Sequence, residues 1–148
     1  MGLISAMNAT ASGLTAQRVR MDVVSGNVAN MDTTRTPDGT GPYKRHIVRF
    51  ASAGDSAPFA QVVQRFTGGA SDGVVLTQVG IDNTTPTRLE YDPSHPDANA
   101  DGYVEYPNVD MVTEMTDLTT ANRSYQANAT VLNAIKQMAL RALDIGSR

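Results

Sequence analysis

Two apolar stripes, one at each end of the chain, constrain its folding more than anything between them. Near the start, Met7, Leu14, Met21 and Val28 recur every seven residues, with Leu3 and Val24 on the same stripe. Near the end, Met111, Leu118, Tyr125, Leu132 and Ala139 repeat the pattern, supported by Met115, Ile135 and Leu143. A seven-residue apolar repeat makes two helices wrap as a coiled coil. The other faces lack the Glu and Lys that solvent-facing helices carry. Residues 2–17 hold no charge, and from Leu118 to Ile135 the single charge is Arg123. Ser, Thr, Asn, Gln and Ala stand there instead, so these helices look built to be surrounded by other protein. A stripe alone would equally suit the core of a helical hairpin within one subunit. The neutral outer faces shift the balance, because a free hairpin gains solubility from charges that these helices lack.

The totals narrow the function. At 148 residues the chain suits one or two small domains, and the terminal helices leave only a modest middle. Net charge is −3, and no basic cluster exceeds Lys44-Arg45-His46. A nucleic-acid binder needs a broader positive face to neutralise phosphates, so no nucleic-acid partner is expected. No apolar run approaches the ~20 residues that span a bilayer, and no direct membrane insertion is expected. No Lys or Arg precedes Leu3-Ile4, which is itself too short for a secretory signal. Ala6 stands where a myristoylation pattern wants Ser or Thr. Cysteine is absent, which excludes disulfides, thiolate catalysis and thiol metal sites.

Along the chain, the first helix is expected from about Leu3 to Val28, roughly 40 Å at ~1.5 Å per residue. Gly13 and Gly26 weaken it by on the order of 1 kcal/mol each relative to Ala. Asn27-Val28-Ala29-Asn30 ends it, since Asn tolerates the left-handed conformation and hydrogen-bonds local backbone. Residues 31–42 are loop chemistry, with Pro37, Gly39, Gly41 and Pro42 among Thr33, Thr34, Thr36 and Asp38. Strand candidates follow at Tyr43 to Phe50, Phe59 to Phe66, Gly73 to Ile81 and, more weakly, Thr87 to Tyr91, giving a small antiparallel β unit. From Asp92 to Pro107 the chain is turn-rich, and its prolines exclude a helix. Asp110 then caps a second helix, whose first turns carry Glu114 and Asp117 and whose later ones carry Lys136 and Arg141, as the helix dipole favours. Gly146 closes it.

The best-looking chemical signal is Asp97-Ala98-Asn99-Ala100-Asp101-Gly102, which matches the first half of a calcium loop. The second half fails: position twelve is Asn108, and Pro93 and Pro96 forbid a preceding helix. Glu105 could substitute as a ligand, but a plain Asx-rich turn is the simpler reading. His46 and His95 belong to no shared motif and read as a strand-face and a turn residue. Gly68-Gly69 lacks the spacing of a phosphate loop, and no nucleophile elbow is present. No enzyme, cofactor or metal is expected.

Several segments resemble a known family. Ser25-Gly26-Asn27-Val28-Ala29-Asn30, with Thr33 three residues on, resembles the N-terminal signature of bacterial flagellar rod and hook axial proteins. Ala121-Asn122-Arg123-Ser124-Tyr125-Gln126-Ala127-Asn128 resembles that family's other end. Between them, Gly41-Pro42-Tyr43, Tyr91-Asp92-Pro93-Ser94-His95-Pro96-Asp97-Ala98, Gly102-Tyr103-Val104 and Pro107-Asn108-Val109 are similar to the proximal-rod branch. Many relatives place Gly after the signature Thr, whereas Thr33 is followed by Thr34-Arg35-Thr36. That points to the proximal rod and away from a hook-like middle domain.

The resemblance implies a structural subunit of the rod between basal body and hook, crossing the periplasm. It also implies export by the flagellar type III apparatus, and helical assembly with itself and other rod proteins. The expectation is therefore an α+β fold with long terminal helices paired as a coiled coil, a small antiparallel β unit and irregular loops. Residues 1–30 and 108–148 form the helical core, 31–42 a loop and 43–107 the β-rich middle. Packing falls to Leu3, Met7, Leu14, Met21, Val24, Val28, Met115, Leu118, Tyr125, Leu132, Ile135 and Leu143. The signature residues are Asn27, Asn30, Thr33, Asn122, Arg123, Tyr125 and Asn128. The rival reading is a stand-alone binding module, with a calcium-binding turn at 97–105 or a helical-hairpin adaptor. Ordering each free terminus costs roughly 1–2 kcal/mol per backbone residue, so frayed ends are expected in an isolated monomer.

Overall fold

A computed structural model of the chain describes residues 2–37, 39, 41–53 and 73–146. The order of elements is helix α1 (Leu3–Ala29), strands β1 (His46–Ser52), β2 (Val74–Ile81), β3 (Arg88–Tyr91) and β4 (Tyr103–Tyr106), and helix α2 (Met111–Gly146). The class is α+β. The expected strand from Phe59 to Phe66 lies outside the described residues. Contacts divide the described residues into two compact units. One is drawn from Met1–Val19, Arg49–Gln78 and Thr120–Arg148, the other from Arg20–Val48 and Val79–Thr119.

Several hydroxyls of both helices bond back to their own helix. In α1 the hydroxyls of Thr10 and Thr15 donate to the carbonyls of Ala6 and Ala11, and Ser12 donates to Ala9. In α2, Thr116, Thr119 and Thr130 do the same to Val112, Met115 and Gln126. A hydroxyl bonded to its own helix needs no water, so the threonines can present their methyl groups outward.

The helix ends differ in part from expectation. Asp110 caps α2, its Oδ2 accepting from the Thr113 backbone N–H at 3.0 Å and from the Thr113 hydroxyl at 2.5 Å. At the end of α1, Asn30 donates its side-chain amide to the Gly26 carbonyl at 2.9 Å. No non-glycine residue among those described has a positive φ, so side-chain bonding and not a left-handed Asn ends this helix. Neither helix is long and apolar enough to cross a membrane.

Among the described residues the strands form two two-stranded sheets, β1-β2 and β3-β4, where sequence suggested one unit. The first strand begins at His46 and not Tyr43, because Tyr43 bonds to the loop instead, its N–H donating to the Thr33 carbonyl at 3.0 Å. Strand β4 falls in a stretch read as turns. It pairs antiparallel with β3 in the register Arg88↔Tyr106, Leu89↔Glu105, Glu90↔Val104 and Tyr91↔Tyr103. Side-chain pairs across this ladder hold it. The Arg88 guanidinium lies 5.1 Å over the Tyr106 ring, and Tyr91 meets Tyr103 edge-on at 5.2 Å. Gly102 has φ +80°, and a Cβ there would lie 3.0 Å from Tyr91 and 3.1 Å from Pro93, so the turn into β4 requires glycine.

The apolar core is thin. Its buried side chains are Ala16, Val24, Val104, Val109, Ala121 and Ile135, with Pro107 beside Val109 in the segment after β4. Along α2 the buried positions are Glu114, Ala121 and Ile135, which fall on one seven-residue repeat with the half-buried Asn128. Leu118, Leu132 and Ala139 are half-buried beside that line, as are Asp117, Ser124 and Ala129. Hydropathy does not mark Glu114, Ala121 or Asn128.

Candidate functional site

The second unit is organised around a buried polar junction. Asn27 enters from α1, Tyr43, Arg45 and His46 from the entry to β1, Asn108 from the segment after β4, and Glu114 and Asp117 from the first turns of α2. Asn27 is 1% exposed and Glu114 0%. Polar groups this deeply buried require partners.

Asn27 uses all four bonds its amide can make. Its Nδ2 donates to the His46 carbonyl at 2.9 Å and to Glu114 Oε2 at 3.0 Å. Its Oδ1 accepts from the His46 backbone N–H at 2.8 Å and from the Tyr43 hydroxyl at 3.0 Å. The side chain thus takes the place of a neighbouring strand for His46, pairing both backbone groups of the first residue of β1. Asn108 braces the preceding residue in a similar way. Its Oδ1 accepts from the Arg45 N–H at 2.8 Å, and its Nδ2 donates to the carbonyls of Asp82 and Thr85 at 3.0 and 3.1 Å.

Charge enters in balanced pairs. Arg45 Nε donates to Glu114 Oε1 at 2.6 Å, and its Nη2 lies 3.5 Å from Asp117 Oδ2. Arg20, further up α1, reaches the other Asp117 oxygen at 2.9 Å. A buried carboxylate with an arginine and an amide on its two oxygens is compensated, whereas one stripped of either partner is not. Burial, and secondarily the negative Glu114, push the Tyr43 hydroxyl above its usual ionisation range. It therefore stays a donor at neutral pH. Glu114 read from sequence as a helix-dipole residue; the structure makes it the buried centre of this junction.

The other residues read from sequence as a signature are spread along both helices and the loop after α1. Asn30 and Thr33 serve the end of α1, with the Thr33 hydroxyl 3.3 Å from Asn30 Oδ1. Asn122 and Arg123 are exposed on α2, where Asn122 accepts from the Gln126 amide four residues on. In the first unit, Asn128 faces Gly13: a Cβ on Gly13 would stand 3.0 Å from its Nδ2. Of the packing residues, Val24 and Ile135 are buried. Met7, Leu14, Met21, Val28, Leu118 and Leu132 are half-buried, and Tyr125 sits at the threshold of exposure. Leu3, Met115 and Leu143 are 41%, 52% and 69% exposed.

Two of the calcium-loop side chains, Asp97 and Asn99, are engaged in bonds within the chain. Asp97 accepts from Arg35 at 2.6 Å and from the Thr34 hydroxyl at 2.8 Å. Asn99 Oδ1 accepts from the N–H groups of Asp101 and Tyr103, which is an Asx turn. These side chains border an open cleft of about 420 Å³, also lined by Pro42 and Glu105. His95 is a turn residue, its Nδ1 accepting from the Asp97 N–H at 3.1 Å.

Residues 7–35 match the flagella basal body rod protein family, and residues 100–145 match the flagellar basal body rod FlgEFG protein C-terminal family. These matches cover most of α1 with its asparagine end, and then β4 with almost all of α2. They define the class as flagellar basal-body rod proteins. Three relatives named flagellar basal-body rod protein FlgC narrow it. That of Bacillus subtilis is 49% identical over 95% of both chains, that of Borreliella burgdorferi 44% over 98%, and that of Salmonella typhimurium 41% over 99%. The chain belongs to the FlgC family of rod proteins.

Proposed function

We propose that this structural subunit of the flagellar basal-body rod is held among its neighbours by the outward faces of its two terminal helices. The observation that carries this is the surface of α2. Val131, Met138 and Leu140 are each about half exposed or more, and the whole stretch from Leu118 to Ile135 holds one charge. Neighbouring threonines bond inward to their own helix. Such a surface gains from burial at roughly 25 cal/mol per Å² of apolar area and loses almost nothing in charge desolvation. Leu3, Met115 and Leu143, exposed in the single subunit, belong to these contacts, while Val24, Leu132 and Ile135 join the two helices of one subunit as a coiled-coil seam.

The assembly partners are other rod components and further copies of the chain, and the flagellar type III apparatus delivers the chain before it folds. No catalysis is assigned to it. Of the residues that sequence offered for chemistry, His46, His95, Asp97 and Asn99 make structural hydrogen bonds, and the family assignment favours the rod over the calcium-module reading.

Two substitutions on adjacent residues test the assignment. Leu132→Ala removes half-buried packing and lowers the subunit's own stability by about 2 kcal/mol, the low end for such truncations. Val131→Glu leaves the circular dichroism and melting of the monomer unchanged but prevents incorporation into basal bodies and abolishes swimming. Normal motility with glutamate at 131 would remove the helix face from the interface.

A further inference from the structure

The hydrogen positions in the junction can be assigned from donors and acceptors alone. The orientation of the Asn27 amide is forced. A flip would set its NH2 against the His46 N–H and its oxygen against both the His46 carbonyl and Glu114 Oε2. Asn27 Oδ1 is therefore an acceptor facing the Tyr43 oxygen at 3.0 Å. Two oxygens at that separation need a hydrogen between them, and only the phenol can supply it. Its single hydrogen is thus spent on Asn27. The His46 Nδ1, 2.5 Å from the same phenol oxygen, must then bring its own hydrogen.

The geometry points to a locked tautomer: neutral His46 carries its hydrogen on Nδ1 and donates it to the Tyr43 oxygen, so that every bond in the chain His46–Tyr43–Asn27 runs in one direction. The tautomer required in the neutral state is the one that free histidine disfavours, which makes the assignment measurable.

The experiment is a long-range ¹H–¹⁵N correlation of the imidazole groups in the uniformly labelled full chain, with the rings in their neutral form. Neutral His46 should carry its hydrogen on Nδ1. A neutral His46 protonated on Nε2 overturns the proposal. Tyr43→Phe removes the phenol oxygen and should return neutral His46 to the Nε2 form; retention of the Nδ1 form there would show that Tyr43 does not set it.

Discussion

Asn27 and Glu114 are 87 residues apart in the chain and meet amide to carboxylate at 3.0 Å, both almost wholly removed from solvent. This contact, with the Arg20–Asp117 ion pair, makes the end of the first helix and the start of the last members of a single network. Asn27 also holds both backbone groups of His46. The signature asparagine is thus a structural hub of the subunit, and its role follows from the number of bonds it makes.

Asn27→Ala should be the most damaging of the small polar truncations. It orphans the His46 N–H and carbonyl, the Tyr43 hydroxyl and one oxygen of Glu114, each costing on the order of 1 kcal/mol or more when buried. A loss of about 3 kcal/mol in urea unfolding is expected. A loss under about 1 kcal/mol would mean that water reaches these groups and that the junction is not sealed.

Arg45→Met leaves Glu114 buried with its charge uncompensated on one side, an arrangement that costs roughly 3–5 kcal/mol. Adding Glu114→Leu removes the orphaned charge and should recover much of that loss. A double-mutant cycle on melting measures the coupling directly. Strict additivity of the two single changes would place the Arg45–Glu114 contact outside the stabilising interactions.

Gly13 separates two opposing effects. Alanine in a helix is favoured over glycine by up to about 1 kcal/mol, but its Cβ would stand 3.0 Å from Asn128 Nδ2. The obstructing atom is the end of a side chain that can turn, so Gly13→Ala should change stability by less than about 1 kcal/mol. Gly13→Val adds two methyls to the same space and should destabilise by about 1–3 kcal/mol, the range of overpacking. If valine melts no lower than alanine, the approach of Asn128 to Gly13 is not a close one in solution.

Acid should loosen the start of the second helix. Hydrogen bonds from the Thr113 hydroxyl and N–H hold the Asp110 carboxyl below its usual value of 3.8. A group whose folded-state value is depressed contributes stability that is present above its unfolded value and lost as pH falls through the folded one. Helicity followed from pH 5 downward should therefore decline below about pH 4. The Asp110→Asn variant, which keeps a capping oxygen without the titration, should decline less. Identical acid profiles for the two chains would exclude Asp110 as a contributor.

The chain's two long helices, their boundaries to within a residue or two, the Asp110 cap and three of the four described strands follow from residue order. Each is a local consequence of periodicity, capping chemistry and turn residues. The strand Tyr103–Tyr106 does not, because it lies among prolines and Asx turns and exists only through its pairing with Arg88–Tyr91. The same limit applies to the junction. Asn27 is visible within a signature, but Arg45, His46, Asn108 and Glu114 are ordinary polar residues in strand, turn and helix contexts. Nothing in their sequence neighbourhoods marks them as buried. The less exposed line along the last helix is legible at Leu118, Leu132 and Ile135, and hidden at Glu114, Ala121 and Asn128. Residue order determined which segments become helices and how uncharged their faces are. Tertiary structure alone decided which polar side chains are buried together, since the worth of a buried charge or amide depends on partners that only the folded chain supplies.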